Sequence, residues 1–425
     1  MKKLNLALLI VLVLSFSGQA AFSGQELALG DVYPNTAEGI SGVLYNPANL
    51  ITDEGGSFYL SVGAKADLDS FNLGLLQILN AEWDEQQRQD IVHGVSGSAV
   101  SISGHAVPTF GVRIGKFGLI GGGQAQVTGS MPKQFVELAM FGIDGKTLMD
   151  GESLHYSLNN LDALGVGYGE GGVSFAYDFS PAGSIDRVQL GVTGKYLYGA
   201  AYEQVRSDGD VRLAYENNIS SITATDIAVQ RLSSRSGTGY AVDFGSKMTM
   251  GNLTVDASML NIGKMTWNNV EESRYYRDGS HKLLEFGFDL DNFALVFESE
   301  DFDKFLQEET NSISAMEWQL PRIIRVGLAY EHTQKITLFG EIKRTEYFAP
   351  TESVSFLLVG GAELRPFSAV PIRVALRSLD GALSMDGGLG MHVGAMRIDA
   401  GIRGLGGLLG YGNGFGVGVN LSFIF

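Results

Sequence analysis

Apolar and polar residues alternate one by one along several stretches of this chain. In residues 58–68 every second side chain is apolar, and the positions between them include Ser61, Lys65 and Asp67. The same pattern recurs in four further stretches: 240–250, 253–259, 336–343 and 396–403. Charged side chains stay on one face in all five. A period of two predicts β-strands with one apolar face and one polar face.

Extended along the chain, this pattern predicts fourteen strands. They are 57–69, 97–116, 117–130, 164–180, 187–203, 237–250, 252–262, 320–333, 335–346, 354–365, 370–379, 384–393, 395–404 and 413–425. The second strand contains Pro108, so we expect a bulge or kink there. An even number of alternating strands favours an all-β fold, an antiparallel transmembrane β-barrel, over a secreted sandwich or solenoid.

The lengths of the links between these strands support the barrel. If the last strand runs towards the periplasm, the links on that side are tight, as in "GKFG" and "GN". The first four links on the other side are long: 70–96, 131–163, 204–236 and 263–319. Outer-membrane barrels have short periplasmic turns and long outer loops, whereas a secreted sandwich has no reason to alternate in this way.

The composition fits a protein of the cell outer membrane. The chain has 57 Gly, 9 Pro, no Cys and only 18% charged residues. Its start carries Lys2 and Lys3, an apolar run from Leu4 to Leu14, and then small residues, so we interpret residues 1–23 as a signal peptide for export through the periplasm. After it, no apolar run is long enough for a transmembrane helix. The lack of Cys rules out disulfides and thiolate metal sites.

Residues 24–56 precede the first strand and do not alternate. We predict three parts of the chain, namely the signal peptide 1–23, an N-terminal plug or hatch 24–56, and the transmembrane barrel 57–425. The lumen of a fourteen-stranded barrel is wide enough to act as a channel or to need a plug. A segment that starts in the periplasm can fold up into that lumen.

The stretch "GVLYNPANL" in this segment resembles the plug of FadL-like outer-membrane proteins, the long-chain fatty-acid transporter family and its relatives. The matching residues are Tyr45, Asn46, Pro47 and Ala48, followed by Leu50. The blocks "LNIGKMTW", "LPRIIRVGLAY" and "GGAELRPFSAVPIRVALRS" are similar to a poorly characterised branch of that superfamily. The resemblance implies the barrel and its plug, and a gating role for residues 45–48. Alternatively, Pro47 only fixes a turn and Asn46 caps it.

The polar faces of the predicted strands identify side chains that would point into the lumen. The candidates are Lys65, Asp67, Lys247, Arg325, Arg373, Arg377, Asp399 and Arg403. Both signs of charge occur, whereas an ion-selective pore needs a ring of one sign. The arginines could meet a carboxylate ligand. The preferred interpretation is that they pair with Asp386 and Asp399 across the barrel.

The last predicted strand should close the barrel against the first. Val417, Val419 and Leu421 would then face outer-membrane lipid, and Phe425 would lie in an aromatic girdle. Phe423 and Phe425 also resemble the signal that the barrel-assembly machinery reads.

Two outer segments have a helical pattern. Leu75, Leu76, Leu79 and Trp83 lie about a turn apart in the first, and Phe302, Phe305 and Leu306 share a side of "DFDKFLQEET" in the second. These apolar faces either pack on the barrel mouth or line a site where a hydrophobic molecule enters.

No catalytic or cofactor motif is present. The six His residues stand in no HExxH or GxSxG setting, and "GLIGGGQAQ" lacks the Lys-Ser/Thr of a phosphate-binding loop. We therefore expect neither an enzyme nor a cofactor. A net charge of −17 argues against a nucleic-acid partner.

Two functions remain open. The first is transport of a hydrophobic or amphipathic small molecule, such as a fatty-acid-like ligand, through a plugged barrel. The second is a non-transport barrel that acts as a partner or shuttle in protein secretion or surface assembly, with the long outer loops as its working surface.

Overall fold

The computed structural model describes thirteen segments of the chain, and they form a closed barrel with extra strands at one end. These segments are residues 23–32, 39–52, 57–69, 85–94, 99–141, 152–159, 161–181, 183–216, 219–289, 294–299, 306–348, 353–405 and 415–425. The predicted signal peptide, apart from Ser23, lies outside them. Eighteen strands pair in one antiparallel sheet, and fourteen of them form the barrel wall.

The fourteen wall strands match the predicted strands in order. They are β1 (Phe58–Asp69), β2 (Ala99–Ile114), β3 (Phe117–Pro132), β5 (Asp162–Phe179), β6 (Arg187–Glu216), β8 (Ser236–Met250), β9 (Leu253–Asp289), β12 (Arg322–Thr333), β13 (Ile336–Tyr347), β14 (Ser353–Phe367), β15 (Val370–Leu379), β16 (Ala382–Val393), β17 (Met396–Arg403) and β18 (Phe415–Ile424). The predicted fourteen-stranded antiparallel barrel is confirmed.

The barrel closes between β18 and β1, as the sequence predicts. Their register runs from Tyr59 opposite Ile424 to Leu68 opposite Phe415. Beyond the ladder, the Phe425 carbonyl accepts the backbone N–H groups of Ser57 and Phe58. This seam leaves no free edge in the wall, which removes the aggregation hazard of an unpaired strand.

One end of the barrel carries only tight links. Turns of two residues join β2 to β3, β8 to β9, β12 to β13, β14 to β15 and β16 to β17, and seven residues join β5 to β6. We call this the short-turn end, and the opposite rim the long-loop end. Apolar side chains point outwards between the two ends, for example Val62, Leu119, Val192, Leu358 and Leu376, which are all exposed.

The long-loop end carries four strands that the sequence pattern does not predict. They are β4 (Leu154–Ser157), β7 (Ile219–Ser234), β10 (Ala294–Ser299) and β11 (Gln307–Gln319). The upper part of β6 pairs with β7, and β7 pairs with the upper part of β9, which also pairs with β11. The links predicted as loops at 204–236 and 263–319 are therefore largely hairpins that extend the sheet beyond the barrel.

Helices are short and lie in the N-terminal segment and the long-loop connections. They are α1 (Ser23–Ala28), α2 (Glu85–Gly94) and α3 (Lys133–Phe141). Within the described residues, no helix is both long enough and apolar enough to cross a bilayer. Helix α2 begins just after the first predicted helical pattern, whose residues Leu75, Leu76, Leu79 and Trp83 lie outside the described residues.

The second predicted helix is wrong where the structure describes it. Phe302 and Phe305 lie outside the described residues, but Gln307 to Thr310 begin strand β11. These residues pair with Tyr276 to Ser273 of β9. The free edge of β9 therefore outweighs a weak local helical pattern.

Pro108 interrupts a ladder without making a bulge. The β2–β3 pairing passes from Ala106 opposite Ala125 to Thr109 opposite Gly122 with no change of register. Proline has no N–H to donate, which accounts for the interruption.

The N-terminal segment, the described residues 23–32 and 39–52, lies inside the ring of strands. It contains α1 and two 3₁₀ helices, Gly39–Leu44 and Pro47–Leu50. Helix α1 packs against β15, β16, β17, β18 and β1, whereas the second 3₁₀ helix packs against β5, β6 and β8 on the other side. Most of its side chains are fully buried.

Candidate functional site: the filled lumen

Asn46 connects the N-terminal segment to two strands. Its side-chain oxygen accepts the N–H of Ala48 at 2.9 Å, which caps the second 3₁₀ helix, and Pro47 starts that helix. Its Nδ2 donates to the Ser246 carbonyl at 2.9 Å and to Asp256 at 3.2 Å. One side chain thus makes a local cap and a contact to β8 and β9.

Two glycines of the wall make room for this turn. A Cβ at Gly245 would overlap the side-chain oxygen of Asn46, and a Cβ at Gly191 would overlap the backbone between Pro47 and Ala48. The close approach of the segment to β6 and β8 therefore requires glycine at both wall positions.

Tyr45 and Arg325 meet beside the turn. The Arg325 guanidinium lies over the Tyr45 ring, 5.2 Å from its centroid, and the Tyr45 carbonyl accepts the Ser258 hydroxyl at 2.8 Å. Arg325 also donates two hydrogen bonds to the Glu341 carboxylate, at 2.8 and 2.7 Å. Such a bidentate pair fixes the plane of the guanidinium.

An apolar cluster seals the segment towards the short-turn end. Ile40, Val43 and Leu50 are fully buried, and they pack against three wall side chains: Tyr59, Ile120 and Ala176. Two residues after Leu50, the Thr52 carbonyl accepts a hydrogen bond from Arg113 of β2 at 2.9 Å.

Asp31, just after α1, has the largest set of ionic partners in the segment. Its carboxylate accepts from Lys65 at 3.2 Å, from Arg377 at 3.1 Å and from Arg403. Its carbonyl accepts from Lys343 at 2.6 Å. Sequence reasoning missed Asp31, because it lies in a stretch with no periodicity.

The other predicted lumen residues are also buried in the interior. Arg373 contacts Glu363 at 2.7 Å and Asp399 at 2.5 Å, and Asp67 contacts Arg403 at 2.8 Å. Lys247 is buried as well.

The structure thus brings together Lys65, Asp67, Arg377 and Arg403 in one cluster around Asp31. Arg373 and Asp399 form a second cluster, and Arg325 lies with Tyr45 in a third. Arg377 lies 3.4 Å from Asp386 and Arg373 contacts Asp399, so carboxylates of the chain itself surround these arginines.

A small polar cavity remains between the segment and the wall. Its volume is about 100 Å³, and its lining includes Glu26, Tyr45, Gln124, Arg325 and Lys343. Lys195 and Glu170 also line it, and Lys195 pairs with Asp243 at 2.6 Å. The described residues contain no group of three or more His, Cys, Asp or Glu side chains that could hold a metal ion.

An aromatic cluster lies at the long-loop end of the barrel. Trp267 is fully buried and packs against Tyr202, with ring centroids 5.4 Å apart, and Tyr168 meets Trp318 edge-on at 6.2 Å. A Cβ at Gly199 would overlap the Trp267 ring. The aromatic side chains of this cluster come from strands, and the sequence pattern did not predict the cluster.

The two aromatic residues predicted as an assembly signal lie at the short-turn end. Phe425 is 65% exposed, and its ring lies 6.0 Å from that of Phe58. Phe423 is half-buried.

Two solved barrels are similar to this structure. The toluene transporter TbuX of Ralstonia pickettii has a TM-score of 0.53 and 10% identity, covering 95% of this chain and 98% of its own. The toluene transporter TodX of Pseudomonas putida has a TM-score of 0.50 and 10% identity, covering 96% and 99%. At this identity the likeness shows the fold alone, and it agrees with the closed transmembrane-type barrel predicted from the sequence.

Sequence comparison places most of the barrel in one family. No curated protein matches the chain. A family model described as a family of unknown function, DUF5723, matches residues 99–398, which is more than half of the chain. The chain therefore belongs to the DUF5723 family.

Proposed function

We propose that this protein carries a small hydrophobic or amphipathic molecule, fatty-acid-like in character, across the cell outer membrane. Residues 24–56 would act as the plug of the lumen. The observation that carries the proposal is the N-terminal segment, which fills the interior yet shares no ladder with the wall within the described residues. Within the described residues, every hydrogen bond between the segment and a strand has a side chain as at least one partner, so the segment could leave without breaking a ladder of the barrel.

The charges of the lumen support a plugged barrel over an open porin. Buried cations and carboxylates pair across the interior, as Arg373 does with Glu363 and Asp399. Paired charges of both signs do not form the one-sign ring of an ion-selective pore. A ligand would therefore pass only after the segment has moved.

The similar solved structures support the class of cargo. TbuX and TodX are toluene transporters, so barrels of this fold carry hydrophobic molecules in those two proteins. The apolar outward surface supports contact with outer-membrane lipid. Export by a signal peptide at 1–23 and recognition of Phe423 and Phe425 by the barrel-assembly machinery stay predictions.

We infer a gating role for Tyr45, Asn46, Pro47 and Ala48. A simple turn needs only the cap between Asn46 and Ala48. Asn46 also donates to Ser246 and Asp256 on the wall, and Tyr45 lies under Arg325. These contacts would act as a latch that releases the segment when they break.

A reversible cross-link tests the proposal. A Cβ at Gly111 would overlap Cγ1 of Ile40, so Ile40→Cys with Gly111→Cys places two sulfurs within bonding reach. The chain has no other Cys to compete. We expect the oxidised double variant to lose uptake of dodecanoate and toluene in proteoliposomes, and reduction to restore it.

The two single-Cys variants, treated with the same oxidant, are the matched controls. Full uptake by a completely cross-linked barrel would contradict a plug that must move. Lipid mass spectrometry on mildly extracted protein gives a second test. An acyl species enriched over an unrelated barrel supports the cargo class, and its absence contradicts it.

A second candidate function follows from the extension at the long-loop end. Residues 307–312 of β11 are all exposed on a strand that pairs with β9. A polar strand surface of this kind would suit a partner in protein secretion or surface assembly. The test is a variant with the extension trimmed, since transport would survive the trimming and a partner role would not.

A further inference from the structure

Asp31 holds the end of α1 against four strands of the wall. Its carboxylate accepts from Lys65 of β1, Arg377 of β15 and Arg403 of β17, and its carbonyl accepts from Lys343 of β13. We call these four cationic side chains the cation cage. All four are buried or nearly so, with side-chain exposures of 9%, 7% and 8% for the first three.

The backbone is shaped to present this carboxylate. Gly30 has a φ of 80° and Asp31 a φ of 68°, so two left-handed residues follow α1. A non-glycine residue in this conformation is uncommon and is often found at functional sites.

The positive charge of the cation cage exceeds the negative charge of the wall carboxylates beside it. Asp67 contacts Arg403 at 2.8 Å, and Asp386 lies 3.4 Å from Arg377. Glu341 of the wall also faces Lys343, but it already accepts two hydrogen bonds from Arg325. Without Asp31, the four cations and Arg325 would therefore face three neighbouring wall carboxylates within the described residues. Buried uncompensated charge is costly, so the emptied cage would attract an anion. Two of its members are arginines, whose forked donors suit a carboxylate.

An apolar patch lies beside the cage and is covered by the same short segment. Leu29 and Val32 flank Asp31, and both are buried. They pack on Phe339 of β13, Leu357 and Val359 of β14, and Ala375 of β15. Two of these strands also carry cage residues. Displacing the segment would uncover a cation cluster and an apolar surface together.

We propose that the cation cage is the binding site for the headgroup of a carboxylate amphiphile, and that Asp31 occupies this site in its absence. Residues 29–32 present one carboxylate beside two apolar side chains, which is the chemistry of such a ligand. The ligand would place its carboxylate in the cage and its tail on the patch. Glu26, the acidic residue of α1, would leave with the segment. This inference rests on the proposed function, because it requires that the N-terminal segment moves.

Equilibrium binding to the full-length protein in non-ionic detergent tests this site. The probes are dodecanoate and 1-dodecanol, which share a tail and differ in the headgroup. We expect Asp31→Asn to bind dodecanoate about tenfold more tightly than the wild type, because an internal competitor lowers the fraction of available sites. The affinity for 1-dodecanol should change far less.

Asp278→Asn, an exposed aspartate of the extension, is the matched control and should leave both affinities unchanged. Adding Arg377→Gln to Asp31→Asn should remove the gain for dodecanoate. Each variant must first show the heat-dependent gel shift of a folded barrel, and if the double variant fails this, Lys65→Gln replaces Arg377→Gln.

Two results would overturn the proposal. One is an unchanged affinity of Asp31→Asn for dodecanoate. The other is an equal gain for dodecanoate and 1-dodecanol, which would mean that the segment is merely loosened. This experiment measures binding without transport, so it remains valid if the uptake experiment fails. A negative result here would contradict the carboxylate site and would not contradict the plug.

Discussion

Single residues decide how closely the N-terminal segment approaches the wall. Asn46 lies against Gly245 so tightly that any side chain on the strand would overlap it. Arg373 is fully buried between Glu363 and Asp399. Both side chains are buried and contact residues of distant elements. Changing either residue should therefore have effects far larger than those of a surface residue.

Gly245→Ala should loosen the segment and leave the barrel intact. The added methyl group would collide with Asn46 and force the turn at 45–48 away from β8. We expect faster hydrogen exchange in residues 39–52 and unchanged exchange in the wall strands. Gly194→Ala is the control, since a Cβ there meets nothing within 4 Å. Equal exchange in the two variants would contradict the close packing of Asn46.

Arg373→Ala should destabilise the barrel strongly. Removing one partner of a buried ion pair leaves uncompensated charge and costs about 3–5 kcal/mol. Lys264→Ala breaks a pair with Glu317 that is largely exposed, and it should cost far less, because water screens that pair. Urea unfolding in detergent micelles measures both, and similar losses of unfolding free energy would count against the buried pairing.

At the scale of elements, the barrel wall and the extension above it follow different rules. In the wall, one face of each strand meets lipid and the other meets the lumen, which gives the period of two. In β7 and β11 polar side chains occur on both faces, as in "ISSITATDIAVQRLSS". Where polar side chains stand on both faces of a strand, the alternation fades. This explains why the fourteen wall strands were predictable and β4, β7, β10 and β11 were not.

The extension should be dispensable for folding of the barrel. Replacing residues 207–229 by an Asn-Gly turn would join Arg206 and Gln230, which already face each other across the β6–β7 ladder. The wall ladder between β6 and β8 lies below this point. We expect the shortened protein to keep its heat-dependent gel shift and its dodecanoate uptake. Loss of the gel shift, with a Gly194→Ala variant folding normally, would show that the extension supports the wall.

At the scale of the whole molecule, the ring of wall strands closes without any strand from the N-terminal segment that lies inside it. The β1–β18 seam completes the ring, while the N-terminal segment contacts opposite sides of it through α1 and the 3₁₀ helices. We therefore expect the barrel wall to stay folded when the N-terminal segment is removed.

Deleting residues 24–52 should turn the protein into an open pore. We expect the truncated barrel to conduct ions steadily in planar bilayers and the full-length protein to stay closed. The oxidised Ile40→Cys, Gly111→Cys variant provides a locked reference. A truncated barrel that folds and conducts no more than this reference would contradict a lumen closed by the segment.

The sequence by itself determined the wall. A chain whose apolar and polar residues alternate can satisfy lipid and lumen at once only as a closed sheet, so strand number, order and seam followed from local pattern. It also marked Lys65, Arg377 and Arg403 as charges on the inner faces. Only the tertiary structure decided what those charges meet. Asp31 lies 372 residues from Arg403 in a segment without periodicity, and contacts between aperiodic residues and distant strands leave no trace in a local pattern.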